Sequence, residues 1–307
     1  MKRFKVEASR LAESYPIDRD TVQNVTHGQA PFVQQDNRTH KLSYYGICPS
    51  CLNPIQLIGI SHEIKYAPHG KHTGNTIEGL RTWNQAKYEY CPYAAKEAYH
   101  APEDSALLPD IDESVIELYD LLKENFDSVV YVIERTLHIK CSVHFWREAL
   151  KQYCANMFYC YPWLTECNLP YIFAMLGMTQ KRIFRQNVEV GSALYHFLSE
   201  QDRIELSASD KRYAVIQNKN GQYFDFVFRF TNHQQKGETG KNLYETMDFC
   251  IDDNGDIKVF AKELYHETIT FEEDFFKNVM QSERRFRRND LLQVAAEIMT
   301  PLHIETE

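Results

Sequence analysis

The chain has 307 residues, of which 43% are hydrophobic and 13% aromatic, so extended disorder is excluded and two or three domains are expected. The formal net charge of −9 excludes a protein that coats nucleic acid over its whole surface, although local basic patches remain compatible with it. The longest apolar stretch, residues 169–178, is too short to span a bilayer. No signal peptide is recognisable, so we expect a soluble cytoplasmic protein with no membrane partner.

Changes in composition predict an α+β protein built in three parts. Residues 1–104 are expected to form an N-terminal module stapled by zinc, and residues 105–204 a helical middle region. Residues 205–307 are expected to form a small antiparallel sheet closed by a C-terminal helix. The acidic start at Asp112 predicts a helix there, because carboxylates are favourable in the first turn.

Three cysteines of the N-terminal part are spaced as metal ligands. Cys48 and Cys51 form a Cys-Pro-Ser-Cys turn between two expected strands, and Cys91 follows an expected helix. A tight turn brings two sulfurs onto one ion, and tetrahedral Zn²⁺ takes its further ligands from distant parts of the chain. Eight cysteines in a chain without a secretory signal also favour thiols and a metal over disulfides. We therefore predict a structural Cys3His zinc site.

The histidine of this site is left open by the sequence. His69 and His72 lie in a stretch, residues 67–79, that reads as a loop, and either could complete the site; His62 and His100 are weaker alternatives. The Cys-Pro-x-Cys turn, the next strand and the Pro-His-x-x-His segment, within residues 44–93, resemble the zinc-binding N-terminal segment of competence-protein-type nucleases. That resemblance implies zinc binding, and zinc modules of this kind serve both nucleic-acid binding and simple stapling.

Residues 168–188 resemble a helix-turn-helix element. Ala174 is small where two helices would cross, Gly177 suits the turn, and Thr179 could cap a following helix. The resemblance implies that this second helix presents its polar face to duplex DNA. The residues expected on that face are Gln180, Lys181, Arg182 and Arg185. An ordinary helical corner with a solvated basic face is the alternative.

Two β-hairpins and a long helix are expected in the last third. Residues 213–216 and 223–230 would form the first hairpin, with phenylalanine at every second position of its second strand. Residues 247–252 and 257–264 would form the second, and residues 275–299 the closing helix. That helix carries a basic cluster that could hold phosphates or pair with acids elsewhere: Arg284, Arg285, Arg287 and Arg288.

Catalytic patterns are weak. Asp248 with Asp256 and Lys258 superficially matches the Asp…Asp-x-Lys array of restriction-type nucleases, but a turn at 254–255 would separate the first aspartate from the second. The nucleophile and phosphate-loop motifs Gly-x-Ser-x-Gly and Gly-x-x-x-x-Gly-Lys are missing from the sequence. We therefore nominate no catalytic residue and do not expect an enzyme.

These patterns together predict a zinc-containing protein that binds nucleic acid, with duplex DNA as one candidate partner and the type of nucleic acid left open. A component or regulator of a bacterial mobile element, phage or defence system would combine such parts. One alternative is a protein-interaction subunit, or a homo-oligomer, whose zinc is purely structural. A metal-dependent nuclease is a third.

Overall fold

The structure is a computed structural model that describes residues 1–9, 12–35, 40–61, 67–89, 91, 93, 107–108, 111–236, 244–254, 262–272, 274–282 and 287–302. Within these ranges the protein is a mixture of helices and small antiparallel sheets. This agrees with the expected α+β class.

The N-terminal module is built around a four-stranded antiparallel sheet in the order β3-β4-β5-β6. Gly46, on β4, lies against the ring of Phe4; a Cβ at that position would come within 2.7 Å of the ring, so a larger residue would displace it. The elements of the module are β1 (Arg3–Phe4), β2 (Tyr15–Pro16), α1 (Arg19–Thr26), β3 (Val33–Gln35), β4 (Leu42–Ile47), β5 (Pro54–Ile58), β6 (His69–His72) and α2 (Gln85–Glu89).

Helices dominate the middle of the chain, and side chains fix where several of them begin. The Asp112 carboxylate accepts hydrogen bonds from two amides at the start of α3, and Ser142 and Ser192 cap α5 and α7 in the same way. The elements are α3 (Glu113–Glu124), α4 (Phe126–Leu137), β7 (Ile139–Lys140), α5 (Val143–Ala155), α6 (Leu169–Phe173), β8 (Asn187–Glu189), α7 (Ala193–Ser199), β9 (Ile204–Ala208) and β10 (Tyr213–Asn218).

A three-stranded antiparallel sheet and two helices complete the chain. The sheet has the order β11-β12-β13, and its strands are β11 (Phe226–Lys236), β12 (Tyr244–Asp253) and β13 (Lys262–Thr270). The helices are α8 (Phe275–Gln281) and α9 (Asn289–Ile298). The phenylalanines expected on one face of β11 are buried, and the second expected hairpin is the pairing of β12 with β13.

The buried apolar side chains form two cores. The smaller lies within the N-terminal module and includes Phe4, Ile55 and the three cysteines nominated as ligands. The larger contains residues from Leu108 to Met299. The domain boundary expected near residue 204 therefore falls inside one packed unit, because the middle helices and the C-terminal sheet share this core. The boundary expected at residue 104 lies outside the described residues.

Three expected elements differ in the structure. Residues 69–72, expected in a loop, form β6 because they pair with β5. The first expected hairpin is wrong, since β10 lies between β8 and β9 and belongs to a different sheet from β11. The closing helix is two helices; Ser282 leaves helical geometry, and α8 packs on α4 whereas α9 packs mainly on α5.

Candidate metal centre

The cysteine turn between β4 and β5 is closed by its own backbone. The amide of Cys48 donates to the carbonyl of Asn53, and the amide of Leu52 donates back to the carbonyl of Cys48. Leu52 is buried with a φ of 57°, a left-handed conformation that costs free energy for a branched side chain and is found where the surroundings fix it. The turn thereby directs Cys48 and Cys51 into the same space.

The side chains of His72, on β6, and of Cys91, which follows α2, also reach this space. The Sγ atoms of Cys48 and Cys91 are 3.6 Å apart, and His72 Nε2 lies 3.2 Å from Cys51 Sγ and 3.6 Å from Cys91 Sγ. One ligand atom from each of the four residues lies within 4.8 Å of every other. Cys48, Cys51, His72 and Cys91 therefore form a cluster that could hold a metal ion.

Two of the separations in this cluster match tetrahedral coordination. Metal–sulfur bonds of about 2.3 Å and metal–nitrogen bonds of about 2.0–2.1 Å at tetrahedral angles place two sulfurs about 3.8 Å apart and a sulfur about 3.6 Å from a nitrogen. The Cys48–Cys91 and Cys91–His72 distances lie close to these values. Cys51 Sγ and His72 Nε2, at 3.2 Å, are about 0.4 Å closer than this geometry requires, so that pair would have to separate slightly to bind one ion.

The strand formed by residues 69–72 decides between the two histidines. Alternate residues of a strand point to opposite faces, so His69 and His72 cannot share one. His69 instead places Nδ1 3.1 Å from the carbonyl of Ala67, and the nomination of His69 as a ligand is wrong. His62 and His100 lie outside the described residues.

Three residues that the sequence analysis did not nominate support the cluster. The buried Asn53 side chain contacts Cys51 Sγ at 3.5 Å and makes two hydrogen bonds with the backbone of Asn84, which ties the cysteine turn to the start of α2. The rings of Trp83 and Tyr88 pack edge-on to His72 at 6.2 and 5.1 Å. A neutral asparagine and two aromatics have no ligand-like spacing, so no sequence signal marks them.

The electrostatics of the cluster favour ionisation of only one of its three thiols when no cation is bound. Burial raises the pKa of the Cys48 and Cys91 thiols well above the ordinary value. Burial alone would raise the pKa of Cys51 too, but hydrogen bonds from the other two thiols and from His72 lower it well below that value. Three buried thiolates repel one another, and a divalent cation is the charge that would stabilise them together.

The expected helix-turn-helix is wrong, because residues after Thr179 do not form a helix. Five residues of π-helix, Ala174–Met178, continue α6, and the Thr179 hydroxyl donates to the carbonyl of Met175 at 2.5 Å. Thr179 therefore ends a helix and does not begin one. The next residues run beside β11, where the amide of Gln180 donates to the carbonyl of Phe228.

The basic residues nominated on that helix are partly engaged within the protein. Arg182 lies 2.6 Å from the Asp225 carboxylate, and the Gln180 side chain accepts a hydrogen bond from Asn254. Arg185 is exposed in left-handed backbone geometry, with its guanidinium over the ring of Phe184. Desolvation lowers the pKa of Lys181. These side chains do not form a helical recognition face.

The described arginines of the C-terminal cluster bind carboxylates of α4. Arg287 donates to Asp127 at 2.8 Å, and Arg288 contacts Glu134 at 3.2 Å. The latter carboxylate is largely buried, which raises its pKa even though the arginine opposes this. This is the pairing alternative raised by the sequence. Arg284 and Arg285 lie outside the described residues.

The nuclease array cannot be assembled from the described residues. Asp248 lies on β12 and accepts hydrogen bonds from Asn232 at 2.8 Å and Thr268 at 2.7 Å. Asp256 and Lys258, the other members of the array, lie outside the described residues.

Comparisons with other proteins give no further guide. No family model matches the chain, and neither the curated proteins nor the solved structures contain a significant match to it. Across the described ranges, no helix combines the length and apolar character needed to cross a bilayer.

Proposed function

We propose that Cys48, Cys51, His72 and Cys91 bind one Zn²⁺ and that the protein is an interaction subunit stabilised by this ion. Three thiolates and one imidazole are ligands that suit Zn²⁺, and four protein ligands leave no coordination position for substrate. The cysteines are buried, as expected for a structural site. This supports a stapling role for the metal.

Two observations count against nucleic acid as the partner. The helix that would enter the major groove is replaced by a segment that runs beside β11. Three of the nominated arginines, Arg182, Arg287 and Arg288, lie beside carboxylates of the same chain, so phosphates would have to compete with them. The formal net charge of −9 is consistent with both observations, because it disfavours phosphate binding.

The observation that carries the interaction role is an open sheet edge beside a groove. In the described part of the chain, β13 pairs with β12 only, and its other edge borders a groove of about 480 Å³. The opposite wall includes Arg135 and His138 from the end of α4, and Phe275 and Tyr171 add aromatic surface. An extended segment of another protein fits this setting, because it can continue the sheet by main-chain hydrogen bonds and place side chains in the groove.

The proposal can be tested by site-specific crosslinking in the cells that naturally produce the protein. A photo-crosslinking phenylalanine analogue replaces exposed Thr270 at the groove, and the control carries it in place of exposed Tyr223. We expect a discrete adduct with one protein from position 270 and none from position 223. Equal adducts from both positions, or none from position 270, would contradict the interaction role.

A salt titration with duplex DNA separates this proposal from the nucleic-acid alternative. We expect no retention of the full chain on DNA at low salt. Retention that weakens by roughly 0.9 log units per log unit of salt for each phosphate contacted would instead support nucleic-acid binding.

A further inference from the structure

One face of the β11-β12-β13 sheet carries polar residues although much of it is buried. The residues Phe249 and Ile251 of β12 pack in the larger core, so Asp248, Cys250 and Asp252, which alternate with them, lie on the other face. Their exposed fractions are only 9%, 1% and 2%. Buried carboxylates require compensating charge, so this face needs a physical explanation.

Strand register brings three metal-ligating side chains together there. Cys250 lies directly opposite His266 of β13, and an irregularity between Ile251 and Asp252 brings Glu263 to the same place. One ligand atom from each of Cys250, Glu263 and His266 lies within 4.8 Å of the others. Side-chain rotation can bring these three atoms to the separations of a formed site.

The histidine of this group is oriented as a metal ligand. His266 Nε2 lies 3.3 Å from the Asp248 carboxylate, while Nδ1 faces Glu263 Oε1 at 3.6 Å. Asp248 is itself held by hydrogen bonds from Asn232 and Thr268. A carboxylate that accepts the proton of one ring nitrogen leaves the lone pair of the other for a metal, and metal-bound histidines usually have such a partner.

The described residues of this face carry more negative than positive charge. Among the described residues, Arg229 is the guanidinium that contacts these carboxylates, and it lies 2.5 Å from Asp252 and 2.5 Å from Glu263 Oε2. Asp248, Asp252 and Glu263 supply three carboxylates against this one guanidinium. Because Arg229 holds Oε2 of Glu263, Oε1 is the oxygen that faces the histidine. A divalent cation would neutralise the excess.

We propose that Cys250 Sγ, Glu263 Oε1 and His266 Nδ1 bind a second divalent cation of the Zn²⁺ class. On binding, the Cys250 S–H bond breaks, its proton passes to solvent, and a metal–sulfur bond forms. His266 and Glu263 have exposed side-chain fractions of 48% and 45%, so a fourth coordination position faces water. The second site is thus open, unlike the closed N-terminal one.

The test counts metal ions per chain by mass spectrometry after equilibration of the full chain with Zn²⁺ and removal of free metal. We expect two ions in the wild type, one in Cys250→Ser and one in His266→Ala. Cys160→Ser removes another buried cysteine outside both clusters and should retain two. Cobalt replacement should give a thiolate charge-transfer absorption from both sites in the wild type and from one in Cys250→Ser.

The outcomes distinguish the two metal sites. One ion in the wild type that is lost in Cys51→Ser overturns the second site and leaves the N-terminal site intact. Two ions in Cys250→Ser or in His266→Ala also overturn it. If Cys250→Ser fails to fold, His266→Ala decides, because this half-exposed side chain can be truncated without opening a cavity in the core.

Discussion

The N-terminal module and the body formed by the described residues between 107 and 302 are stabilised in different ways. The module has a small core in which Cys48, Cys51 and Cys91 stand beside a handful of apolar side chains, among them Phe4 and Ile55. The body buries a large, continuous core that includes Trp146, Tyr153 and several phenylalanines. Small units that cannot bury enough apolar surface commonly depend on a metal. If the proposed ion is bound, the comparison predicts that the module depends on it for its fold and that the body does not.

Loss of a metal ligand is expected to have the largest effect on the difference between module and body. In Cys51→Ser we expect the amides of β4, β5 and β6 to exchange at least about a thousandfold faster, while α4 and α5 keep their protection. Structural zinc contributes about 10–16 kcal/mol in small zinc domains, as much as the whole stability of an ordinary domain. Hydrogen exchange read by mass spectrometry measures both regions in one sample.

The matched control is Cys154→Ser, a half-buried cysteine of α5 outside both clusters. It should change neither the zinc content nor the exchange of the module. Equal loss of protection in module and body would show that the two regions unfold together, and unchanged exchange in Cys51→Ser would remove the structural role of the metal.

A truncation in the large core should destabilise the body and leave the module unchanged. Phe228 is fully buried against Phe145, Phe230 and Phe249, so Phe228→Ala should lower the free energy of unfolding of the body by about 3–5 kcal/mol. Zinc content should stay unchanged, because the module has its own core. Denaturant unfolding followed by circular dichroism, with metal analysis of the folded variant, measures both effects.

Tyr223→Ala is the control for this substitution, since Tyr223 lies in the same part of the chain but is exposed. Its effect should stay within about 0.5 kcal/mol. Loss of zinc in Phe228→Ala would mean that the module cannot hold its ligands without an intact body.

Local chemistry made the cysteines of the candidate metal centre predictable, whereas pairing between distant segments could not be read from the sequence. Cys48, Cys51 and Cys91 were nominated because a tight turn and one distant thiol suffice for that inference. The choice between His69 and His72 as the fourth ligand depends on which face of a strand each residue occupies. The sequence did not indicate that strand, because Gly70 favoured a loop for residues 69–72. The strand exists because β5 pairs with it, a contact that no local pattern encodes.

The helix-turn-helix interpretation failed for the same reason. Gly177 and Thr179 satisfy the local requirements of a helical corner, but the following residues make backbone hydrogen bonds with Phe226 and Phe228, more than forty residues away in the sequence. Arg287 and Arg288 likewise meet acids far from them in the chain. Caps such as Asp112 were predictable because cap and helix are adjacent.

The smallest expected effect lies at the junction of the two regions. Asp112 caps α3 in the body and pairs with Lys87 of α2 in the module. Asp112→Ala should lower the free energy of unfolding by about 1–2 kcal/mol, because two helix amides and an ammonium lose their acceptor. Asp112→Asn keeps a capping oxygen and should lose less. Unfolding monitored between pH 3 and pH 6 measures both variants against the wild type.

The pH dependence of this difference separates the ion pair from the cap. Burial alone would raise the pKa of Asp112, but Lys87 and the Ser114 hydroxyl lower it below the usual 3.8. A lowered acid pKa adds stability above the unfolded value that is lost as the pH falls through the folded one. The deficit of Asp112→Asn should therefore be full above about pH 5 and shrink below pH 3.8. A deficit independent of pH would mean that the carboxylate charge does not link module and body.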